Sequence, residues 1–320
     1  MLVLRPGLSS NMCEVSTIID DEVQNIVFFL PSETEVLQGL LLSTDVQLVE
    51  FHHFVGHNRE IFGLIENLGV PYDVFIHDYS WICPRITLTA ENHRYCGEPK
   101  VEECEKCVRR NGTKIDEMIS PRQLRERSTA VFEGARSIIV PSADVSRRMR
   151  NQMAIDCVIQ PWEELETLQC SQVRVVKGPK RRICIVGAIG FEKGYYIILE
   201  LAWIIKKFHL PMEIIIVGFT CDDQPLLATG CVTITGRYEE ERILDLVREQ
   251  DADIGFFPSL WPETWSYTLS HMLNAGLFVV AYDIGTPSER IKSHERGIVI
   301  PLHLPLDRLV ALLLTHPVGG

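Results

Sequence analysis

Residues 183–194 read ICIVGAIGFEKG, a β-branched apolar run that passes into a glycine-rich turn. From Arg181 onward such runs alternate with segments of helical period, which is typical of βα units and a parallel sheet. Continuous apolar strands such as 214–217 indicate burial on both faces, as in a doubly wound sheet. We predict strands over 183–187, 213–218, 232–236, 254–258, 278–283 and 297–301, and helices over 194–207, 239–249, 263–275, 288–294 and 306–314.

The first half of the chain is less regular and predicts an abbreviated unit of the same class. Strands are predicted over 26–30, 46–51, 73–77 and 137–141, and helices over 59–68 and 123–134. Residues 80–113 are rich in Cys, Glu, Asn and Gly, which indicates an inserted loop. A chain of 320 residues accommodates two cores. We therefore predict an α/β fold of two Rossmann-like domains, residues 1–165 with the Cys-rich insertion 80–113 and residues 166–320, connected within Gln160–Lys180.

The bulk composition excludes several classes of protein. A net charge of -12 argues against nucleic-acid binding, because neutralising phosphates requires an excess of Lys and Arg. The first residues lack the pattern of a signal peptide, and the longest apolar runs are too short to span a bilayer. Ten cysteines without a secretion signal favour reduced thiols or metal ligands. We expect a cytoplasmic protein.

The stretch 256–266, FFPSLWPETWS, runs from a buried strand through a loop into a predicted helix. Ligands of open α/β sheets bind beyond the carboxyl ends of the strands, and the amides of a helix N-terminus attract phosphate. The amides of Thr264, Trp265 and Ser266 are candidates for that role. Glu263 stands at the predicted helix start, where an acidic residue also stabilises any helix through its dipole.

Together with NAGL at 274–277, VVA at 279–281 and DIG at 283–285, this region resembles the donor-binding core of family-4 retaining glycosyltransferases. The resemblance extends over residues 181–302 and implies a GT-B fold, which is built of two Rossmann-like domains. The first Glu of that family's E-x7-E motif, matched by Glu263, holds hydroxyls of the transferred sugar. The second Glu, which holds the nucleotide ribose, is replaced by His271. An imidazole exchanges one hydrogen bond with a ribose hydroxyl but cannot accept two.

The glycine-rich turn after the first strand of this half is the second match. The resemblance implies that Lys193 neutralises the donor diphosphate, while the family's accompanying Arg is replaced by Ala188. Glycines permit a tight turn and the close approach of a ligand, and those of this turn are Gly187, Gly190 and Gly194. A solvated lysine at a helix start is the alternative.

Two further matches concern turns at strand ends. The turn ITGRY at 234–238 resembles the one that frames the nucleobase, so Gly236, Arg237 and Tyr238 are candidate base contacts, with an exposed turn as the alternative. In the first half, FIHDY at 75–79 ends a predicted strand. His77 resembles the strand-end histidine that the family places near the donor sugar and diphosphate. A structural histidine is the alternative.

Cys83, Cys96, Cys104 and Cys107 form the pattern C-x12-C-x7-C-x2-C inside the insertion. Four thiolates at such spacings suit a structural, tetrahedral zinc site. Reduced surface thiols are the alternative, and the nearby histidines are a further source of ligands. No cofactor is expected to be required for catalysis.

The segment Arg109–Arg150 holds ten basic and five acidic residues. A basic face could attract anionic lipid headgroups and give peripheral contact with the inner face of a membrane. A solvated helix face is the alternative.

The resemblance implies a retaining glycosyltransferase that moves a sugar from a UDP- or GDP-sugar to a glycan or lipid-linked acceptor. The motif set looks like that of enzymes of bacterial surface polysaccharide and O-antigen assembly. An inactive nucleotide-binding relative is the first alternative, favoured by the abbreviated first half, His271 and Ala188. A sugar-nucleotide epimerase of the same architecture is the second.

Overall fold

The computed structural model describes residues 1–19, 22–163, 179–294 and 296–315. The chain divides into two compact units. The N-terminal unit comprises Met1–Leu88 and Gly97–Gln160, and the C-terminal unit comprises Thr89–Cys96 and Pro161–Gly320. The predicted boundary at 165/166, and most of the predicted connection Gln160–Lys180, lie outside the described residues.

The N-terminal unit contains two sheets. An antiparallel sheet has the order β1-β2-β3, and a parallel sheet has the order β4-β5-β6-β7. The strands are β1 (Val3–Pro6), β2 (Met12–Ile19), β3 (Glu22–Phe29), β4 (Val49–Phe51), β5 (Tyr72–Phe75), β6 (Ser137–Val140) and β7 (Val158–Ile159). The helices are α1 (Thr34–Ser43), α2 (Glu60–Leu68), α3 (Val101–Asn111), α4 (Pro121–Gly134) and α5 (Ala143–Met153).

Several elements of this unit were not predicted from the sequence, which are β1, β2, β7, α1, α3 and α5. Of the antiparallel sheet, only the end of β3 was predicted. The segment predicted as an inserted loop contains α3, in which no residue is fully buried. Its charges did indicate a helix, since Glu102 and Glu103 occupy the first turn and Arg109 and Arg110 the last, in the order that the helix dipole favours.

The C-terminal unit is a six-stranded parallel sheet with helices between its strands. The strands are β8 (Arg181–Ile189), β9 (Met212–Thr220), β10 (Val232–Ile234), β11 (Ile254–Phe257), β12 (Val279–Tyr282) and β13 (Gly297–Ile300). The helices are α6 (Tyr195–Phe208), α7 (Asp223–Leu227), α8 (Ile243–Glu249), α9 (Tyr267–Asn274), α10 (Gly285–His294) and α11 (Leu306–Thr315). The sheet order is β10-β9-β8-β11-β12-β13. Counted within the unit this is 3-2-1-4-5-6, the doubly wound Rossmann order, which confirms the predicted fold class.

Two hydrophobic clusters cover the two faces of this sheet. Along β8, Ile183 and Ile185 belong to one cluster, and Cys184 and Val186 belong to the other. Successive side chains of a strand point to opposite faces, so a strand buried on both faces must be apolar throughout. This explains why the strands of this half are continuous apolar runs.

Within the described part of the chain, no helix is both long enough and apolar enough to cross a membrane.

Candidate functional site

The loops that carry Lys193 and Glu263 follow the two strands at which the strand order reverses. β8 and β11 are neighbours in the sheet, although two strands separate them in the chain. Ligands of open α/β sheets bind at such a switch point, in the crevice beyond the carboxyl ends of the strands. The structure therefore brings together the two loops that the sequence singled out.

These two loops are fastened to each other through their main chains. The amide of Leu260 donates to the carbonyl oxygen of Glu192 over 2.8 Å. Gly194 has a φ of +86°, and a Cβ added there would lie 2.3 Å from the carbonyl oxygen of Pro258. Only glycine fits this position, because any larger residue would push the lysine loop away from the Pro258 loop. Lys193 is thus held beside the loop that leads to Glu263.

The predicted helix over 263–275 begins four residues later than expected. Helix α9 starts at Tyr267, and Ser266 is its N-cap, with a side chain that accepts a hydrogen bond from the amide of Leu269. The expectation that Thr264, Trp265 and Ser266 supply amides of a helix first turn is therefore wrong, since all three precede the helix. Serine is a preferred N-cap residue, a signal that the sequence did contain.

Glu263 consequently lies in a loop before α9. Stabilisation of a helix dipole therefore does not explain why an acidic residue stands at this position. Its main chain is held at both ends, because its amide donates to the carbonyl oxygen of Trp261 over 2.9 Å and its carbonyl oxygen accepts from the amide of Thr286 over 3.0 Å. Thr286 lies in the first turn of α10. The first turn of a neighbouring helix therefore fixes the backbone from which this carboxylate projects.

The side chain of Glu263 is buried, with the residue 4% exposed. Its Oε1 has no hydrogen-bond partner within the described part of the chain. Burial raises the pKa of this carboxyl group, while the charge of Lys193 and the hydroxyls of Ser259 and Ser266 act in the opposite direction. A buried acceptor without a partner is costly, and hydroxyl groups of a ligand could satisfy it.

Arg290 stabilises the first turn of α9 through hydrogen bonds. Its guanidinium, 5% exposed, donates to the carbonyl oxygen of Ser266 over 2.9 Å and to the hydroxyl of Ser270 over 2.7 Å. It also lies 4.1 Å from the ring centroid of Trp265. Glu163 accepts hydrogen bonds from both the Trp265 indole and the Ser270 hydroxyl. Sequence reasoning missed Arg290 and Glu163, because their partners lie 20 to 107 residues away and no local motif marks them.

The predicted base-contact residues follow β10. The amide of Gly236 donates to the carbonyl oxygen of Gly218 over 2.8 Å. The Arg237 guanidinium lies 4.3 Å above the ring of Phe219. Tyr238 is half-buried, and burial raises the pKa of its hydroxyl.

His271 is half-buried near the end of α9. Burial lowers the pKa of its imidazole, while Glu163 and Glu240 act in the opposite direction. A neutral imidazole at pH 7 can offer a ligand one donor and one acceptor. This histidine therefore differs in charge, as well as in bonding capacity, from the carboxylate that the resemblance expects at its position.

In the N-terminal unit, polar side chains follow the neighbouring parallel strands β4 and β5. The amide of Val55 donates to Nδ1 of His53 over 2.9 Å, so the proton of that ring is on Nε2. Nε2 lies 2.8 Å from Oδ2 of Asp78. Burial raises the pKa of Asp78, but its hydrogen bonds with His53 and Ser80 outweigh burial and leave that pKa below its ordinary value. His53 and Asp78 thus form a hydrogen-bonded pair with a defined tautomer.

His77 lies beside this pair. Its Nε2 is 2.9 Å from Nδ1 of His52. Burial, together with the neighbouring His52 and His53 and against the opposing charge of Asp78, lowers the pKa of His77 to about 4. At neutral pH His77 is therefore a hydrogen-bonding group without charge, which limits it to exchanging a proton or a hydrogen bond with a ligand.

The cysteine pattern is divided between the units. Cys83, Cys104 and Cys107 belong to the N-terminal unit and Cys96 to the C-terminal unit. Cys104 and Cys107 lie on α3, and burial raises the pKa of Cys104. No group of three or more Cys, His, Asp or Glu side chains within the described ranges could hold a metal ion. The zinc site stays a prediction.

The basic segment Arg109–Arg150 is largely compensated within its own unit. Six of its arginines form ion pairs, which are Arg122 with Glu102, Arg127 with Glu117, Arg136 with Asp73, Arg147 with Asp144, Arg148 with both Asp144 and Glu98, and Arg150 with Asp156. Paired charges attract an anionic surface less than solvated ones do, because the partner carboxylate cancels the field.

Comparison with known protein families gives one match. Residues 170–314, less than half of the 320-residue chain, match the family described as Glycosyl transferases group 1. The matched segment covers β8 to α11 and so includes Lys193, Glu263 and the sheet that positions them. No curated protein matches the chain significantly.

Solved structures share the fold at low sequence identity. The pneumococcal O-GlcNAc transferase GtfA, in complex with UDP and GlcNAc, matches with a TM-score of 0.57 and 14% identity over 95% of this chain and 62% of that one. HepE from Anabaena, in complex with UDP and glucose, matches with a TM-score of 0.54 and 13% identity over 89% of this chain and 73% of that one. This chain thus spans less than two thirds of GtfA. The likeness shows a GT-B fold of two Rossmann-like domains.

Proposed function

We propose that the chain is a retaining, family-4-type glycosyltransferase, which transfers a sugar from a nucleoside diphosphate to a hydroxyl of a glycan or lipid-linked acceptor. One observation carries the proposal. At the switch point of a Rossmann sheet, two loops tied by the Leu260–Glu192 hydrogen bond hold Lys193 beside a buried carboxylate, Glu263. The match of residues 170–314 to glycosyl transferases group 1 supports it.

Each part of the site has a role in this reaction. The ammonium group of Lys193 attracts the diphosphate and stabilises the charge that develops on it as it leaves. Glu263 accepts hydrogen bonds from hydroxyls of the transferred sugar and fixes the orientation of its anomeric carbon. The bond from the anomeric carbon to the diphosphate oxygen breaks, and the bond to the acceptor oxygen forms on the same face. The acceptor proton passes to the leaving diphosphate, so no protein nucleophile is required.

His77 is the candidate contribution of the N-terminal unit. With a pKa of about 4 it is neutral at pH 7 and cannot neutralise phosphate charge by itself. We assign it a hydrogen bond to the donor sugar or the diphosphate. His52, within hydrogen-bond distance of its Nε2, orients the ring.

The donor is proposed to be a UDP- or GDP-sugar. GtfA and HepE were both solved with UDP, which favours UDP as the first nucleotide to test. Bacterial surface polysaccharide, including O-antigen, is the proposed product class, formed in the cytoplasm with the acceptor at the inner face of the membrane.

Product analysis tests the proposal directly. The protein is incubated with a mixture of UDP- and GDP-sugars and with either free oligosaccharides or lipid-linked sugar in detergent, and the products are resolved by mass spectrometry. We expect a new glycoside whose anomeric configuration, read by NMR, equals that of the donor. Isomerised donor would indicate an epimerase. Binding without turnover for every acceptor would indicate a nucleotide-binding relative, and an inverted linkage would exclude the retaining mechanism.

A further inference from the structure

Near the C-terminal ends of three neighbouring strands of the C-terminal sheet, three glycines lie against one another. Gly187 and Gly218 each stand two residues before the last residue of β8 and β9, and Gly236 stands two residues after the end of β10. A Cβ added to Gly218 would lie 2.1 Å from the carbonyl oxygen of Gly187. The amide of Gly236 donates to the carbonyl oxygen of Gly218 over 2.8 Å, and the amide of Gly218 donates to the Thr235 hydroxyl over 3.0 Å. The turn after β10 is therefore tied to the end of β9.

Arg237 projects from this fixed turn. Its guanidinium stacks 4.3 Å above the ring of Phe219. Phe219 is the register partner of Ala188, so the two side chains lie on the same face of the sheet, about one strand spacing of 4.8 Å apart. The guanidinium thus stacks on a side chain of β9 whose register partner is Ala188 of β8, although the arginine itself belongs to the turn after β10.

Among the described residues of the C-terminal unit, no carboxylate lies within ion-pair distance of the Arg237 guanidinium. Other arginines of the unit are engaged, as Arg182 is with Glu213 and Arg290 is with Ser266 and Ser270. A guanidinium that stacks on an aromatic ring keeps its N–H groups in a defined plane, ready to bind phosphate oxygens in pairs.

We infer that Arg237 binds the diphosphate of the nucleotide donor from the β10 side, opposite Lys193. This rests on the proposed function and deepens it, because it moves Arg237 from the nucleobase to the phosphates. The physical reason is that a diphosphate carries more than one negative charge, which Lys193 alone does not balance. Gly187 and Gly218, near the ends of β8 and β9, have no side chains that would stand in the way of a ligand.

Binding measurements on the native protein and on Arg237→Ala test the assignment. Calorimetry gives the affinity for whichever of UDP and GDP the native protein binds, and NMR titration gives the affinity for the matching nucleoside. Because the variant loses a charge-assisted contact, its affinity for the nucleoside diphosphate should fall by about tenfold or more. The nucleoside should bind as before. Arg242→Ala, an exposed arginine five residues further along, is the matched control and should leave both affinities unchanged.

A double variant tests where the cation must stand. Ala188→Arg combined with Arg237→Ala places a guanidinium on the register partner of Phe219. We expect this double variant to regain most of the diphosphate affinity that Arg237→Ala loses. A double variant that binds no better than Arg237→Ala overturns the placement beside Ala188. Equal losses for nucleoside and diphosphate, or unchanged diphosphate affinity in Arg237→Ala, overturn the inference alone. A native protein that binds neither UDP nor GDP overturns the proposed function and this inference with it.

Discussion

The amide of Thr286 donates a hydrogen bond to the carbonyl oxygen of Glu263 over 3.0 Å. The backbone of the loop between β11 and α9 is therefore fixed by the start of α10, independently of the Glu263 side chain. A substitution that changes only the carboxylate should leave this main-chain bond intact. The side chain can thus be tested for function with little risk to the fold.

Glu263→Gln should lose transfer while retaining nucleotide binding. The carboxylate is proposed to hold the sugar, so its loss should lower turnover by about tenfold or more, each tenfold corresponding to roughly 1.4 kcal/mol of transition-state stabilisation. Free UDP or GDP lacks the sugar and should bind with unchanged affinity. The measurements are kcat with a donor and acceptor pair and calorimetry with the nucleotide.

The same variant should not be less stable than the native protein. Burial raises the pKa of Glu263, which means that the buried carboxylate is a cost to the folded state and that a neutral amide removes it. Glu239→Gln, at an exposed position of the same unit, serves as the control. Full transfer by Glu263→Gln together with a lower melting temperature would make Glu263 a structural residue.

Lys193→Ala should abolish most of the thermal stabilisation by UDP or GDP. A ligand that binds only the folded state raises the melting temperature by mass action, and the lysine is proposed to supply affinity for the diphosphate. Lys207→Ala, near the other end of α6, should retain the shift. Equal shifts for the two variants at millimolar nucleotide would remove Lys193 from the donor site.

Arg290→Met should destabilise the C-terminal unit by about 2–4 kcal/mol. The substitution leaves the Ser266 carbonyl and the Ser270 hydroxyl without their charged donor, and such losses at buried sites are among the costly ones. Urea-induced unfolding measures the change. Glu163→Gln should cost less, because that residue is half-exposed and an amide oxygen can still accept from Trp265. Equal stability of Arg290→Met and native protein would contradict the described contacts.

The N-terminal unit should lose stability as the pH falls from about 6.5 to 4. Burial lowers the pKa of His57 and of His77 to about 4, from an ordinary value of 6.5. In that window the unfolded chain binds more protons than the folded one, so stability is complete above pH 6.5 and is lost as these imidazoles must charge. Partial exposure screens the effect, to about 1 kcal/mol for each histidine.

Melting temperatures between pH 4.5 and 7.5 measure this dependence. His77→Gln should flatten the curve, whereas a substitution of the exposed His209 should leave it unchanged. A native curve that is already flat, or a His77→Gln curve as steep as the native one, would show that His77 is not held neutral by its surroundings.

Metal analysis of protein purified without chelator tests the zinc site. Four thiolates predict about one zinc per chain, and Cys107→Ser should lose most of it. Fully folded native protein without zinc would rule the site out and leave the four cysteines as reduced thiols.

The fold of the second half followed from its sequence because one property decided it. Strands buried on both faces must be apolar at every position, and the runs at 183–187, 214–217, 254–257 and 279–282 are examples. The first half offered no such property. The strands of its antiparallel sheet mix polar and apolar residues, as the sequence EVQNIVFF of β3 does, and no residue of α3 is fully buried. Elements of this kind are set by tertiary contacts, which the local pattern does not contain.

The residues of the candidate site also fall into two groups, those marked by the local sequence and those set by tertiary packing. Lys193 and Glu263 were singled out because each matches a motif of the resembled family in a loop directly after an apolar strand, and their roles in binding the donor stay predictions. Arg290 escaped prediction, since its role depends on α10 packing beneath the first turn of α9. The helix start was misplaced because an acidic residue after proline is typical of a first turn, whereas the true N-cap, Ser266, followed three residues later.

Residues 89–96 lie in the first half of the chain but belong to the C-terminal unit, which affects how the protein folds during synthesis and how it can be cut into fragments. This short segment belongs to the C-terminal unit, where the amide of Tyr95 donates to the carbonyl oxygen of Leu260 over 3.0 Å. During synthesis it emerges long before its partner, so this contact must wait until most of the second half has left the ribosome. A fragment that begins at residue 161 would lack it altogether. Domain dissection of this chain therefore needs residues 89–96 grafted back or supplied as a peptide.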